Sequence, residues 1–134
     1  MIKVAYGLIS TGFSIDKENN GLSIFNQFDR VLAPNVPGIM PELCVIAFFE
    51  RDDSDEDKIP VLLKIVAPSG AEKELGSINV IFEGKNKNRF TVRIQGFPIM
   101  EFGKHLIRIE WGENRYDVGF DVEEAKAKLQ SLPA

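Results

Sequence analysis

Cysteine and histidine occur only once each in this chain of 134 residues. Cysteine forms disulfides, and the two residue types together supply many metal sites and nucleophilic dyads. The single cysteine, Cys44, excludes an intramolecular disulfide and a metal site made of cysteines. A reduced compartment is the simplest environment for such a chain, so we predict a cytoplasmic location. The apolar stretch after Lys3 covers only about seven residues, the lower limit for a signal peptide, and no clean cleavage motif follows it.

Long apolar runs and an excess of basic charge are also missing. No run approaches the roughly 18 residues that a membrane helix needs, so we predict no membrane span. Sixteen lysines and arginines stand against 20 aspartates and glutamates, which gives a formal charge of −4 and a pI near 5.1. Because attraction to phosphates needs basic charge, we expect no nucleic-acid partner.

The chain has none of the compact motifs of hydrolysis, phosphate binding or zinc catalysis: no Gly-x-Ser-x-Gly, no phosphate loop and no HExxH. Cys44 and His105 are the only candidates for a nucleophile and its base, and nothing supplies a third group to orient them. The acidic run 52–57 offers oxygen ligands for Ca²⁺ without the spacing of a calcium loop, and basic residues in 85–89 could neutralise it. We therefore predict no catalytic residue, no metal site and no cofactor.

Apolar and polar residues alternate with a period of two between turn signals, the pattern of half-buried strands. The alternation predicts eight strands, at 2–9, 22–33, 43–49, 59–67, 72–83, 89–95, 104–111 and 115–122. In the first strand, Ile2, Val4, Tyr6 and Leu8 are in phase and are predicted on one face. The third is apolar on both faces, as expected of a central strand or of one that meets a partner. In the second, Asn26 falls on the apolar side, which indicates a bulge or an open edge. We predict an all-β fold, an antiparallel β-sandwich of immunoglobulin-like or C2-like type.

The last two strands have the pattern of a hairpin. A two-residue loop at 113–114, with Asn114 at positive φ, would place Trp111 opposite Tyr116. Trp111 shares its face with apolar neighbours, so we expect it in the core rather than on the surface as a sugar-stacking platform. The residues expected together in this core are Val92, Ile94, Ile107, Trp111, Tyr116, Val118 and Phe120.

The C-terminal residues carry a different signal. Strong helix formers fill 123–130 and Pro133 follows, which predicts a short helix over about 123–131. We find no internal repeat and no linker, so we expect a single domain, residues 1–134, with its strands within about 2–122.

Several turn and core motifs occur in an order typical of one known family. They are Gly21-Leu22-Ser23-Ile24-Phe25-Asn26, Met40-Pro41 at the end of a proline-rich break, Ala67-Pro68-Ser69-Gly70, Phe90-x-Val92-x-Ile94-x-Gly96-Phe97-Pro98, and Gly103 before the final hairpin. In these motifs, over about residues 1–122, the chain resembles a family of short, mostly bacterial single-domain proteins of unknown function. The resemblance implies a β-sandwich without an assigned activity, and it carries over no catalytic residue.

Apolar residues accumulate in two segments, 34–41 and 96–103, that antiparallel strands would bring to one end of the sandwich. They are Val36, Ile39, Met40, Phe97, Ile99, Met100 and Phe102. Loops are normally polar, so this cluster either plugs the core or contacts a partner. Prolines stiffen both segments, which lowers the entropy lost on docking. We predict that part of the cluster stays accessible, and that the chain is a non-catalytic protein-interaction or assembly module. Its partner would be an unidentified protein or a second copy.

A second hypothesis stays open on the polar outer face of strands 89–95, 104–111 and 115–122. This face carries Arg93, Gln95, Arg108, Glu110 and Asp117. It could serve a small-ligand or carbohydrate-binding domain, or a hydrolytic domain. A convergent pocket with perturbed titratable groups would favour this hypothesis, whereas a flat apolar patch would favour the interaction module.

Overall fold

The computed structural model describes residues 1–125, and these contain nine β-strands. The strands are β1 (Lys3–Ile15), β2 (Leu22–Gln27), β3 (Arg30–Ala33), β4 (Gly38–Glu50), β5 (Lys58–Val66), β6 (Glu72–Ile81), β7 (Lys87–Ile99), β8 (Gly103–Trp111) and β9 (Asn114–Glu124). Sheet 1 has the strand order β2-β1-β4-β7, and sheet 2 has the order β3-β9-β8-β5-β6. A hydrophobic core lies between the sheets, so the predicted all-β sandwich is confirmed.

The strand predicted over 22–33 is divided between the two sheets. Asn26 takes a positive φ of 54°, and the chain leaves sheet 1 after Gln27 and joins sheet 2 at Arg30. β3 then pairs with β9 in parallel, with Arg30 opposite Asp121. Sheet 2 is therefore mixed, whereas we expected antiparallel pairing throughout. The irregularity predicted at Asn26 is present, and it precedes the change of sheet.

β4 is the central strand that its doubly apolar sequence predicts. It lies between β1 and β7, and its outward-facing Cys44 and Ile46 are as fully buried as its core-facing residues. The β1–β2 hairpin reaches across this outer face. Arg93 on β7 donates from Nη2 to the carbonyl oxygen of Phe13 at 2.9 Å, and its guanidinium lies 4.4 Å from the centre of the Phe13 ring. Because β4 separates β1 from β7, these contacts require the hairpin to cross the outer face of β4.

The reactivity of Cys44 measures how firmly this hairpin is held. Because Cys44 is fully buried, we expect a thiol reagent such as DTNB to reach it only when the hairpin opens. Phe13→Ala removes the ring under Arg93, a contact worth about 0.5–1 kcal/mol, so the reaction should become about two- to fivefold faster. Phe25→Ala, at an exposed position of the same hairpin, should leave the rate unchanged. Equal rates for wild type and Phe13→Ala would contradict this position of the hairpin.

A β-bulge turns Tyr6 out of the predicted phase. The register with β4 shifts between Val4 and Tyr6, so Val4 pairs with Phe49 and Tyr6 pairs with Phe48. Tyr6 therefore lies on the outer face of sheet 1, where it is exposed and stacks on Phe48 with ring centroids 4.4 Å apart. The extra residue, Ala5, brings neither a turn signal nor a polar side chain, so the alternation does not reveal the bulge.

The β8–β9 hairpin forms, but its turn lies one residue earlier than predicted. The loop is Gly112 and Glu113, so Trp111 pairs with Asn114 and not with Tyr116. Gly112 has a φ of 57°, the conformation that the first loop residue of a type II′ turn needs and that glycine adopts without steric cost. The pairing shifts by two residues, so every side chain keeps its predicted face.

The predicted core set is confirmed. Ile107, Trp111 and Phe120 are buried, and the other four members, Val92, Ile94, Tyr116 and Val118, are partly buried against them. Trp111 meets Phe49 edge to face with ring centroids 5.4 Å apart, and its Nε1 donates to the carbonyl oxygen of Ile2 at 3.1 Å. Trp111 is therefore a core residue and not a surface platform.

The predicted C-terminal helix does not begin where we expected. β9 continues through Glu124, so the first residues of the 123–131 segment belong to a strand paired with β3. The remainder, 126–131, lies outside the described residues. Within residues 1–125, no helix is long and apolar enough to cross a membrane.

Candidate interaction surface

The two apolar segments meet at one end of the sandwich, largely as strands. β4 and β7 extend to this end and pair Ile39 with Pro98. Residues 38–41 and 96–99, which we expected in loops, therefore belong to the sheet. The apolar side chains explain the difference. Successive side chains of a strand point to opposite faces, so some of these residues fill the core while the backbone pairing of β4 with β7 continues.

The seven apolar side chains divide into an inner and an outer group. Met40, Phe97 and Ile99 are buried, and Val36 packs against the core. Ile39, Met100 and Phe102 are 73%, 63% and 37% exposed, and we call these three residues the apolar tip. The inner group of each segment therefore closes this end of the core, and the outer group exposes apolar side chains on the surface.

An apolar groove of about 410 Å³ adjoins the apolar tip. Its lining consists of the apolar residues Ile65, Ala67, Ala71, Leu75, Phe97, Pro98 and Met100, the charged residues Glu72, Lys73 and Glu101, and His105. β6 and β7, the outermost strands of the two sheets, both contribute, so the groove follows the open side of the sandwich. The sequence does not predict the groove, because its residues come from four strands and their connections, and only the 96–103 segment carries a local signal.

Cys44 and His105 do not form a dyad. Cys44 faces outward from sheet 1 beneath the β1–β2 hairpin, whereas His105 faces the core from sheet 2, in line with Ile107. Burial raises the pKa of the Cys44 thiol, against the opposing effect of the Arg93 guanidinium beside it. A catalytic cysteine needs the opposite shift, because the thiolate is the nucleophile.

Several carboxylates of the acidic run 52–57 have partners within the protein. The Met1 amino group lies 2.6 Å from Asp52 Oδ2 and 2.8 Å from Asp55 Oδ2, and with the Asp52 backbone amide it holds the pKa of Asp55 below its ordinary value. Asp57 accepts the Gly84 amide at 2.6 Å. The expected basic residues of 85–89 take no part in these pairs. No group of three or more metal-ligating side chains occurs among residues 1–125.

We expect millimolar Ca²⁺ to leave the melting temperature unchanged. A cation that binds only the folded state would raise that temperature by mass action, and Asp52, Asp55 and Asp57 already have protein partners. Thermal unfolding followed by circular dichroism, with Ca²⁺ and then with an excess of chelator, tests this. A rise that the chelator reverses would show that the loop binds the ion.

The single polar face of the second hypothesis is not formed. β7 belongs to sheet 1, so Arg93 and Gln95 lie on one outer face of the sandwich. β8 and β9 belong to sheet 2, so Arg108, Glu110 and Asp117 lie on the opposite face. The three strands are consecutive in the sequence but are not all neighbours in the fold, because the chain crosses between the sheets after β7.

The charges on sheet 2 pair with one another. Arg108 Nε lies 3.0 Å from Asp117 Oδ1, and Lys64 Nζ lies 3.0 Å from Glu110 Oε1. These carboxylates hold the pKa values of Arg108 and Lys64 above their ordinary values. Glu72 lies within 4 Å of both cations, which completes a closed network rather than a set of groups converging on a ligand.

Fold and surface together define a class of protein: a two-sheet β-sandwich with an exposed apolar tip and an adjoining groove, whose one cysteine and one histidine face different environments. The chain belongs to a family of unknown function, DUF6941, which matches residues 12–118. This confirms the resemblance to a family without an assigned activity. No curated protein matches the sequence.

Solved structures share the fold as part of larger proteins. The chain is similar to a β-glucosidase, EmGH1, from Erythrobacter marinus, with a TM-score of 0.57 and 10% identity over 92% of this chain and 15% of that one. It is also similar to the alkylpurine DNA glycosylase AlkC of Pseudomonas fluorescens (TM-score 0.54, 10% identity, 91% of this chain and 30% of that one) and to a β-glucosidase from Listeria innocua (0.54, 8%, 91% and 16%). At these identities the likeness shows the fold alone.

Proposed function

We propose that this chain is a non-catalytic protein-interaction or assembly module that docks through its apolar tip. The exposure of Ile39, Met100 and Phe102 at one end carries the proposal. Single exposed apolar residues are ordinary, but these three come from two segments that reach the same end of the sandwich, and Met100 lines a mostly apolar groove. Methionine adds an adaptable contact to such a surface.

The support beneath the apolar tip favours docking. Ile39 is held in the β4–β7 ladder opposite Pro98, and buried Met40 and Phe97 occupy the next pair. A surface held in place before binding loses less entropy when a partner arrives. The formal charge of −4 supports a protein partner over nucleic acid. A cytoplasmic location, a bacterial origin and an immunoglobulin-like or C2-like classification stay predictions from the sequence.

The double variant Ile39→Asp/Met100→Asp tests the proposal. Both positions are exposed, so we expect stability to change by less than about 1 kcal/mol, while association with a partner or a second copy is lost. Affinity capture and sedimentation velocity measure that association. Ile81→Asp is the matched control, because Ile81 is also an exposed isoleucine but lies at the far end of β6. Loss of association in both variants, or in neither, would contradict docking through the apolar tip.

A further inference from the structure

One edge of β7 has no partner strand. β7 is the last strand of sheet 1 and pairs only with β4 in the described part of the chain. Arg51 donates its backbone amide to the carbonyl oxygen of Asn86, which adds one hydrogen-bonded pair to the β4–β7 ladder. Since such pairs alternate with non-bonded ones along antiparallel strands, the even-numbered residues of β7 before Gly96 bond to β4, and the odd-numbered ones direct their backbone groups to the free edge. The Arg89 amide agrees with this direction, because it donates to Asn88 Oδ1 at 2.8 Å.

Three residues of this edge hold unpaired backbone groups. The amides and carbonyl oxygens of Thr91, Arg93 and Gln95 point outward, and none has a backbone partner within residues 1–125. The other outermost strands are shorter or interrupted: β2 and β3 have six and four residues, and β6 has a bulge at Leu75. Short strands and bulges protect a sheet edge from pairing. β7 is therefore the outermost strand best suited to accept another strand.

The side chains along this edge are apolar on one face of the sheet and cationic on the other. Val92 and Ile94 pack against the core but are only partly buried. Arg89 and Arg93 lie on the outer face of sheet 1. Both oxygens that accept from Arg89 Nη2, at 2.6 and 3.2 Å, are neutral and belong to Asn20. The edge therefore offers a cation without a carboxylate partner in the described part of the chain, and apolar surface that a further strand could cover.

We propose that β7 accepts an extended segment of a partner protein as a fifth strand of sheet 1, with an acidic residue beside Arg89 and apolar residues beside Val92 and Ile94. The free backbone groups of β7 supply the hydrogen bonds to the added strand. Residues paired across two strands lie on the same face, so a segment in which acidic and apolar residues alternate matches both faces of β7. This edge is separate from the apolar tip, so the binding goes beyond the function proposed above.

A second copy of β7 suits this edge less well. If two β7 strands paired about a twofold axis at Thr91, Arg89 of each copy would lie opposite Arg93 of the other. Like charges directly opposite each other destabilise a strand pair. Within one chain, Glu42 Oε1 lies 2.6 Å from Arg93 Nε and compensates that charge, which leaves Arg89 to select an acidic residue. The charges therefore favour an acidic segment over self-association.

Two synthetic peptides with blocked ends test this inference without a known partner. Valine alternates with aspartate in the first and with lysine in the second, and each is titrated into nitrogen-15-labelled protein at low ionic strength. We expect the aspartate peptide to shift the amide signals of Thr91, Arg93 and Gln95 saturably and to bind about three- to tenfold more tightly than the lysine peptide. The formal charge of −4 favours the lysine peptide, so the opposite preference must come from the cations beside the edge.

Three variants locate the effect. Arg89→Gln should abolish the preference for the aspartate peptide, whereas Arg115→Gln, which removes the same charge from an exposed position on sheet 2, should keep it. Thr91→Pro removes an outward-pointing amide and spares the ladder with β4, so it should abolish binding of the aspartate peptide. Should Arg89→Gln or Thr91→Pro fail to fold, the preference and the shifted signals of the wild type decide alone.

Equal binding of both peptides to wild type, a preference for lysine, no saturable binding, or shifts confined to other strands overturns the inference. Ile39→Asp/Met100→Asp should keep the preference of the wild type, because neither side chain lies on the free edge of β7. If the peptides fail while that double variant still loses association, docking through the apolar tip stands. If the aspartate preference holds while the double variant keeps its association, the β7 edge stands and docking through the tip fails.

Discussion

Trp111→Ala is expected to lower the free energy of unfolding by about 3–5 kcal/mol. The substitution removes the largest side chain of the β8–β9 hairpin, opens a cavity beside Phe49 and leaves the carbonyl oxygen of Ile2 without its donor. Trp111→Phe, which keeps an aromatic ring and loses the hydrogen bond, should fall between wild type and alanine. Urea unfolding followed by far-ultraviolet circular dichroism measures this, since Trp111 is the only tryptophan and the variants lose its fluorescence. A loss below about 1 kcal/mol, typical of surface positions, would contradict its place in the core.

Phe97→Asp and Met100→Asp should differ sharply, although they lie three residues apart in one apolar segment. Phe97 is 2% exposed, and a carboxylate there would be buried without a partner, so we expect a loss of more than about 3 kcal/mol or failure to fold. Met100 is 63% exposed, and its substitution should change stability by no more than about 0.5 kcal/mol. Equal destabilisation by the two variants would show that Met100 plugs the core and would remove it from the docking surface. The melting temperatures of the two proteins decide.

The alternation of apolar and polar residues predicts burial, because burial depends on the face of the strand that a side chain occupies. Trp111 and Phe120 are therefore in the core as predicted. The register at the hairpin differs by two residues from the prediction, and a shift of two leaves each side chain on its face. The predicted face of Tyr6 is wrong because a bulge at Ala5 shifts the phase by one residue, and nothing in the local sequence indicates this bulge. The turn at Gly112 could have been predicted from its glycine, which needs no compensation at positive φ.

The candidate site depends on long-range pairing, which a single sequence does not contain. The 96–103 segment could be identified as apolar, but the division into buried Phe97 and exposed Met100 follows from the β4–β7 ladder. The groove needs β5, β6, β7 and β8 in two different sheets. His105 illustrates the limit: its parity places it toward the core, whereas its position beside the groove is known only when the four strands are assembled.

Site-specific photo-crosslinking tests docking through the apolar tip most directly. A p-benzoylphenylalanine at position 100 places the reactive group on the proposed surface, and the same residue at position 81 places it on an exposed apolar site at the far end of β6. Neither position is buried, so both proteins should fold. We predict that irradiation in cells of the source organism yields one discrete covalent product from position 100 and none from position 81. Identical products from both positions, or a product from position 81 alone, would contradict docking through the tip.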